Sequence, residues 1–399
     1  MTSEEGFLRG VRVVDTVHGR VGAPKDIHLD GGRIASIVDA SAADRPLYVV
    51  PGLIDAHVHL TFDASADPAG AYRSLDDEAR VDVARRNAAR AVLAGVTTVR
   101  DLGGPLAVVA EVAHAIARGA APGPDVVFAG AAITRVGGHL GLLGGEVGGA
   151  AEARALVERQ IAAGARAVKV VVSGGGLTPG TRPDRAELPA PVLDAAVEVA
   201  RHHGVPVAAH CHATAAIRRA VEAGVSTIEH VSFVGPGGRV RFDPELARRM
   251  RDRGIAASPT VSGALRSATR YRVAGAHNPD EVDAIGRLEA RPRISAELRA
   301  IGVTIVAGSD AGVTDTPHDS IHDDLAAYVD LGMSPADALR TATVDAADAL
   351  GLVDRGVVAV GRRADLIVVD EDPLSDLAAL RRPLAVIAAG ALVSPKGGR

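Results

Sequence analysis

The chain has 399 residues, 47% of them hydrophobic, only 2% aromatic and none Trp, with a formal net charge of −5 and a pI near 6.3. That length supports one large α/β domain plus a smaller one, with a core built from Ala, Val, Leu and Ile. The scarcity of aromatics argues against base stacking, and the charge balance gives no reason to expect nucleic-acid or membrane partners.

The N-terminus, MTSEEGFLRG, is acidic and polar, without the basic and apolar regions of a leader, and no apolar stretch could span a bilayer. A cytoplasmic protein is therefore expected. VRVVDTVHGRVGAPKDIHLDGGRIASIVDA then reads as short alternating strands broken by turns. From residue 53 onward, short apolar runs predict strands at 53–60, 96–102, 125–130, 167–172, 205–211, 226–231, 255–260 and 303–310. Between most of them lie Ala-rich stretches at helical spacing, such as DEARVDVARRNAARAVLAG, EARALVERQIAAG and APVLDAAVEVARHHG. Gly95, Gly164, Gly204, Gly224, Gly254 and Gly302 fall where a helix C-terminus prefers glycine.

Eight βα units in succession predict an α/β fold with a (β/α)8 TIM barrel over residues 51–355. No glycine-rich dinucleotide fingerprint follows the first strand, which weakens an open doubly wound sheet. From residue 356, GVVAVGRRADLIVVDEDPL and PLAVIAAGALVSP return to the strand-and-turn texture of the start. Residues 1–50 and 356–399 are accordingly expected to pair in one small β-sandwich domain. No solenoid period is present, and only SPKGGR reads as a tail. The single cysteine, Cys211, rules out an internal disulfide and reads as a buried filler.

In a barrel of this kind, catalytic residues sit at the C-terminal ends of the strands. Those ends carry His57 and His59 in PGLIDAHVHL, then His210, His230 and Asp310. Strand residues two apart share a face, so His57 and His59 project together, as a divalent metal needs. Singly, each has an ordinary alternative: a solvated face, a satisfied core histidine, a cap or a turn. Lys169 lies in AVKVVV, apolar on both faces, where an ammonium is costly and burial favours the neutral amine. Such an amine can add carbon dioxide to give a carbamate able to bridge two metals; a lysine paired with a carboxylate is the alternative.

PGLIDAHVHL, VKVVVSGGG, AAHCH, STIEHV and AGSDAG together resemble the amidohydrolase superfamily, and ADLIVVDEDPL resembles its returning C-terminal β-segment. GGHL, VVSGGGLTPG, HCHA and GVTDTPHDS are most similar to its imidazolonepropionase-like and prolidase-like branch, with Leu140 and Ala213 departing from that branch's usual glycines. The resemblance implies two divalent metal ions, with zinc suited to the imidazole-rich set and manganese, iron or cobalt as alternatives. His57, His59 and Asp310 would hold the more buried ion, and His210 and His230 the second. N-carboxylated Lys169 and a hydroxide would bridge them, with Asp310 as general acid and base.

The implied reaction is hydrolysis of an amide C–N bond in a small-molecule substrate. Dipeptides (Xaa-Pro or Xaa-hydrophobic) and N-acyl amino acids lead, with a cyclic amide of imidazolone or hydantoin type as the alternative and a non-catalytic scaffold as the third reading. His139, His212 and His318 are the candidate substrate contacts, followed by Arg135, Tyr271 and Arg272 as anion binders. His202 and His203 sit at a helix end, where the dipole accounts for them. A homo-oligomer is compatible with such a barrel, though no stretch specifies one.

Overall fold

A computed structural model describes residues 6–41, 45–275 and 279–393. Residues 1–5 and the SPKGGR tail lie outside them. The N-terminal strands are β1 (Phe7–Asp15), β2 (Arg20–Asp30), β3 (Arg33–Asp39) and β4 (Tyr48–Pro51). The middle of the chain contributes β5 (Leu53–Val58), β6 (Val96–Asp101), β7 (Asp125–Phe128), a short pair β8 (Thr134–Arg135) and β9 (Glu146–Val147), and β10 (Val168–Val171). Next come β11 (Val207–His210), β12 (Thr227–Glu229) and β13 (Ala256–Ser258), and β14 (Leu366–Val369), β15 (Ala385–Ala388) and β16 (Ala391–Val393) end the chain.

Strands β5-β6-β7 and β10-β11-β12-β13 form two parallel sheets. Parallel neighbours need a crossover between them, and helices such as Asp77–Leu93, Ala150–Ala162 and Ala190–His202 supply it. The six glycines read as helix stops all have positive φ, from 66° to 95°, a backbone region that costs glycine little.

The predicted eighth strand is realised differently. Residues 303–310 form no extended ladder but are stitched to both neighbours. Val306 N donates to Ala257 O (2.9 Å), Ala56 N to Ala307 O (3.0 Å) and Asp310 N to His57 O (2.8 Å). On the other side, Val171 N donates to Ile133 O (2.8 Å) and Arg166 N to Phe128 O (3.1 Å). The two sheets therefore meet along both edges, an arrangement that fits a (β/α)8 barrel.

Gly308, in this last segment, has no room for a side chain. A Cβ there would lie 2.4 Å from Ser258 Oγ and 2.9 Å from His57 Cβ. Gly308→Ala should therefore cost about 1–3 kcal/mol by overpacking. It should also displace His57. Denaturant melts and metal titration of this variant check both effects, and a wild-type midpoint would show that the segment can yield.

The two ends of the chain do share a sheet, ordered β16-β15-β14-β4-β1-β2-β3. Its hydrogen bonding is continuous through all seven strands, and edge strand β3 returns to the segment just before β14, with Ile34 N donating to Arg362 O (2.9 Å) and Ala364 N to Gly32 O (2.9 Å). Ile27, Ile34, Val49, Leu366, Val368 and Ile387 pack into a cluster belonging to that sheet. Val14, Val50, Ile367 and Val369 join the large core of the parallel sheets instead. Alternation along each strand thus gives one sheet two buried contacts. Among the described residues, no helix is long and apolar enough to cross a membrane.

Candidate metal centre

His57, His59, Lys169, His210, His230 and Asp310 line one cavity at the ends of the parallel strands, with about 1010 Å³ of empty space including its open mouth. All but Asp310 are buried. His57 Nε2 lies 3.4 Å from Asp310 Oδ1 and 3.5 Å from Lys169 Nζ, and His59 Nε2 lies 3.5 Å from the same Asp310 oxygen. His230 Nε2 faces His210 Nδ1 at 3.0 Å. His57, His230 and Asp310 form one group with ligand atoms close enough for a metal ion, and His210, His212 and His230 form another.

The opposite edge of each imidazole fixes which nitrogen faces the cavity. His57 Nδ1–H donates to Glu229 Oε2 (2.9 Å), His59 Nδ1–H to Gly103 O (3.0 Å) and His210 Nε2–H to Gly174 O (3.2 Å). A carboxylate or carbonyl can only accept, so each ring presents a lone pair inward. Burial keeps these rings neutral: it pulls His57 and His59 down to about 4 and His210 and His230 well below the ordinary histidine range. Burial likewise lowers Lys169 to about 8. Converging imidazole lone pairs, a carboxylate and a readily neutralised amine fit divalent cations of the zinc type.

His230 and Asp310 hold left-handed backbone, with φ of 68° and 60°. Non-glycine residues pay for that conformation, and it persists at sites where the surroundings impose it. It turns both side chains off their strand ends into the cavity.

Sequence reading missed the residues that set these ligands. Glu229 and Arg100 are both fully buried and 3.0 Å apart, and Arg100 also donates to Ala56 O (2.7 Å) and Thr227 Oγ1 (3.0 Å). Asp101 accepts from Leu60 N (2.8 Å) and Gly103 N (3.1 Å), on either side of the His59 contact. Asp55 accepts from His57 N (3.2 Å) and Ser309 N (3.0 Å), tying the strand of His57 to the segment of Asp310. Their signal was present. Each is a charge inside an apolar strand, LIDAHVHL, VTTVRDL or STIEHV, as Lys169 is in AVKVVV.

The candidate substrate residues divide. His139 and His212 line the cavity. The His139 ring is 4.8 Å from that of His210, and its buried Nδ1 has no partner among the described residues. His212 Nδ1 meets Ser232 Oγ at 2.9 Å. His318 does not line the cavity; it is buried behind the site, with Nε2 3.3 Å from His59 O, and steadies the backbone there. Arg135 instead pairs with Glu187 (3.1 Å), and Arg272 pairs with Glu289 at the surface, so neither reaches the cavity. Tyr271 does line it. Cys211 is buried and faces away from the site, as expected of a filler.

The sequence profile of the Amidohydrolase family matches residues 48–393, spanning both parallel sheets and every residue of this centre. The chain belongs to the amidohydrolase family. It is thus one of the metal-dependent hydrolases acting on amide C–N bonds. It is 31% identical over 373 residues to ochratoxinase of Aspergillus niger, covering 85% of this chain and 73% of that protein. Among solved structures, a Xaa-Pro dipeptidase with methionine in its active site matches with a TM-score of 0.87 and 27% identity, covering 97% of this amidohydrolase and 98% of that chain. A prolidase complexed with N-methylphosphonate-L-proline matches with a TM-score of 0.85, 27% identity and the same coverage.

Proposed function

We propose that this amidohydrolase cleaves the amide bond of a dipeptide (Xaa-Pro or Xaa-hydrophobic) or an N-acyl amino acid, using two divalent cations. The observation that carries this reading is the convergence of inward-facing imidazole lone pairs on Asp310 and Lys169. The relatives support the substrate class, since they include a dipeptidase and a prolidase. His57, His59 and Asp310 would hold one cation and His210 and His230 the other, with Lys169 shared between them as its carbamate. On this reading residues 51–355 form the catalytic (β/α)8 barrel, and residues 1–50 with 356–399 form the small β-domain.

The neutral amine of Lys169 adds to the carbon of carbon dioxide, forming a C–N bond and releasing one proton, and leaves a carbamate whose single negative charge is shared by two oxygens. When bound, the cations supply Lewis acidity and bring the pKa of a water to about 7. Asp310, at the cavity floor beside His57 and His59, takes the proton of the attacking water and returns it to the leaving nitrogen. The neutral rings of His57 and His59 do not compete for that proton, because burial disfavours their charged forms. A bridging lysine would weigh against a one-cation enzyme of the imidazolone type, which needs no bridge; it does not weigh against a two-cation cyclic amidase.

Zinc-loaded protein grown with bicarbonate should release ninhydrin-positive amine from a library of dipeptides and N-acyl amino acids. Asp310→Asn should fold normally and lose about 10³-fold or more in kcat, since it removes both a ligand and the proton carrier. Near-wild-type kcat in that variant would remove Asp310 from the reaction.

A further inference from the structure

The cavity wall is electrostatically lopsided. Arg270, Tyr271, Arg287 and Arg291 all enter it from the helical segment that follows β13, comprising helices Val261–Ala274, Pro279–Glu289 and Arg291–Ile301. Leu140 and Leu177 line the cavity from the loops after β8 and β10. Leu288 and Val313 add further apolar surface.

Arg291 is the most informative of these residues. Its side chain is 4% exposed, yet its acceptors among the described residues are two neutral oxygens, Thr260 O (3.1 Å) and Thr260 Oγ1 (2.8 Å). Its buried Nε has no partner among the described residues. A buried guanidinium hydrogen-bonded only to neutral groups is costly; the Asp310 and Asp324 carboxylates offset its burial only in part, and a planar carboxylate is the group its fork fits best. Thr260 Oγ1 also lies 2.9 Å from His230 Nδ1, so Arg291 is one residue removed from the metal-facing histidines. An anion on Arg291 would therefore lie within the same cavity as Asp310.

We propose that Arg291, assisted by Arg270 at the mouth, anchors the α-carboxylate on the amine side of the scissile amide. This rests on the amide-hydrolase reading and deepens it: Arg291 is the residue that recognises the free carboxylate shared by the leaving amines of those substrates. The acyl group then lies toward Leu140 and Leu177, where size and apolarity rather than charge are read.

The test is calorimetric binding of N-acetyl-L-leucine and N-acetyl-L-leucinamide to zinc-loaded Asp310→Asn, with wild-type turnover of both measured alongside. The acid should bind about 10²-fold more tightly than the carboxamide, the scale of a charge-assisted pair. Adding Arg291→Met should bring that ratio near one. Arg291→Lys should retain part of it. Arg270→Ala, whose half-exposed side chain does not touch Thr260, should lower it severalfold and guards against a folding defect in the Arg291 variants. Equal binding of the two probes, binding of neither, or a ratio unchanged by Arg291→Met overturns the anchor. Acid-selective binding without wild-type turnover would sustain the anchor and reject the proposed reaction.

Discussion

Alanine in place of Lys169 should lower kcat by about 10³-fold or more, because the loss of a shared anionic ligand removes several kcal/mol of transition-state stabilisation. The side chain is completely buried in β10, and its Nζ lies 3.5 Å from His57 Nε2, a cavity-facing atom. Metal analysis of the purified variant should show the second equivalent lost, and a small carboxylate such as propionate should restore part of the turnover by supplying the missing oxygens. A lysine that merely balanced charge would show neither effect. The pH dependence follows from burial, which puts the amine near 8. Only the neutral form adds carbon dioxide, so at a fixed concentration of dissolved carbon dioxide the reactivation of carbamate-free protein should quicken as pH rises toward 8 and slow about tenfold per unit below it. Reactivation independent of pH over that range, or Lys169→Ala with full metal content and turnover, would remove the bridge.

Glu229→Gln should be the most destabilising conservative change in the molecule. It leaves Arg100 charged and fully buried without its counter-ion, a situation that costs about 3–5 kcal/mol. Burial pushes the Glu229 carboxyl upward, but Arg100 and His57 outweigh it and hold the group well below its ordinary value of 4.5. The sign is that of a depressed carboxylate: its stabilisation is complete above the ordinary glutamate range and is lost as pH falls below it. The variant should therefore have a flatter acid limb in its stability profile as well as a lower midpoint. The double variant Arg100→Met/Glu229→Gln should recover much of the stability, since no unpaired charge remains. It should not recover metal affinity, expected to fall about 10–100-fold once His57 Nδ1–H loses its carboxylate. Chemical denaturation and metal titration separate the two effects; recovery of both would mean that Glu229 acts through the fold alone.

The set of side chains that converge on the cavity was legible in sequence because it follows a local rule. Side chains alternate along a strand, so His57 with His59 and His210 with His212 each had to share a face, and Cys211 had to point away. Lys169 announced itself by the cost of an ammonium in an apolar run. The same cost applied to Arg100, Glu229, Asp55 and Asp101, and consistent use of it would have flagged all four as buried and partnered. Which partner each takes was not legible. Glu229 and His57 are 172 residues apart, and only the closeness of β12 to β5 across the interior joins them.

His318 and the arginines show the other limit. A histidine in the loop GVTDTPHDS can face a cavity or turn behind it, and the choice depends on the path of a backbone whose periodicity says nothing. It turned behind, to His59 O. Arg135 and Arg272 found carboxylates nearby, whereas Arg291, in a stretch with no motif, became the buried cation on the cavity wall. The eighth strand shows a similar limit, since residues 303–310 have a strand's sequence but bend to carry Asp310 at positive φ toward His57 and His59.

The sequence by itself determined the alternation of strands and helices and the residues gathered at the cavity, because these depend on short-range periodicity and on the cost of burying charge, and its motifs carried the resemblance to the family. Only the tertiary structure decided which nitrogen of each histidine faces the cavity, which buried carboxylates hold those rings, and which arginine lies buried on the cavity wall, because those depend on partners brought together across the interior from distant parts of the chain.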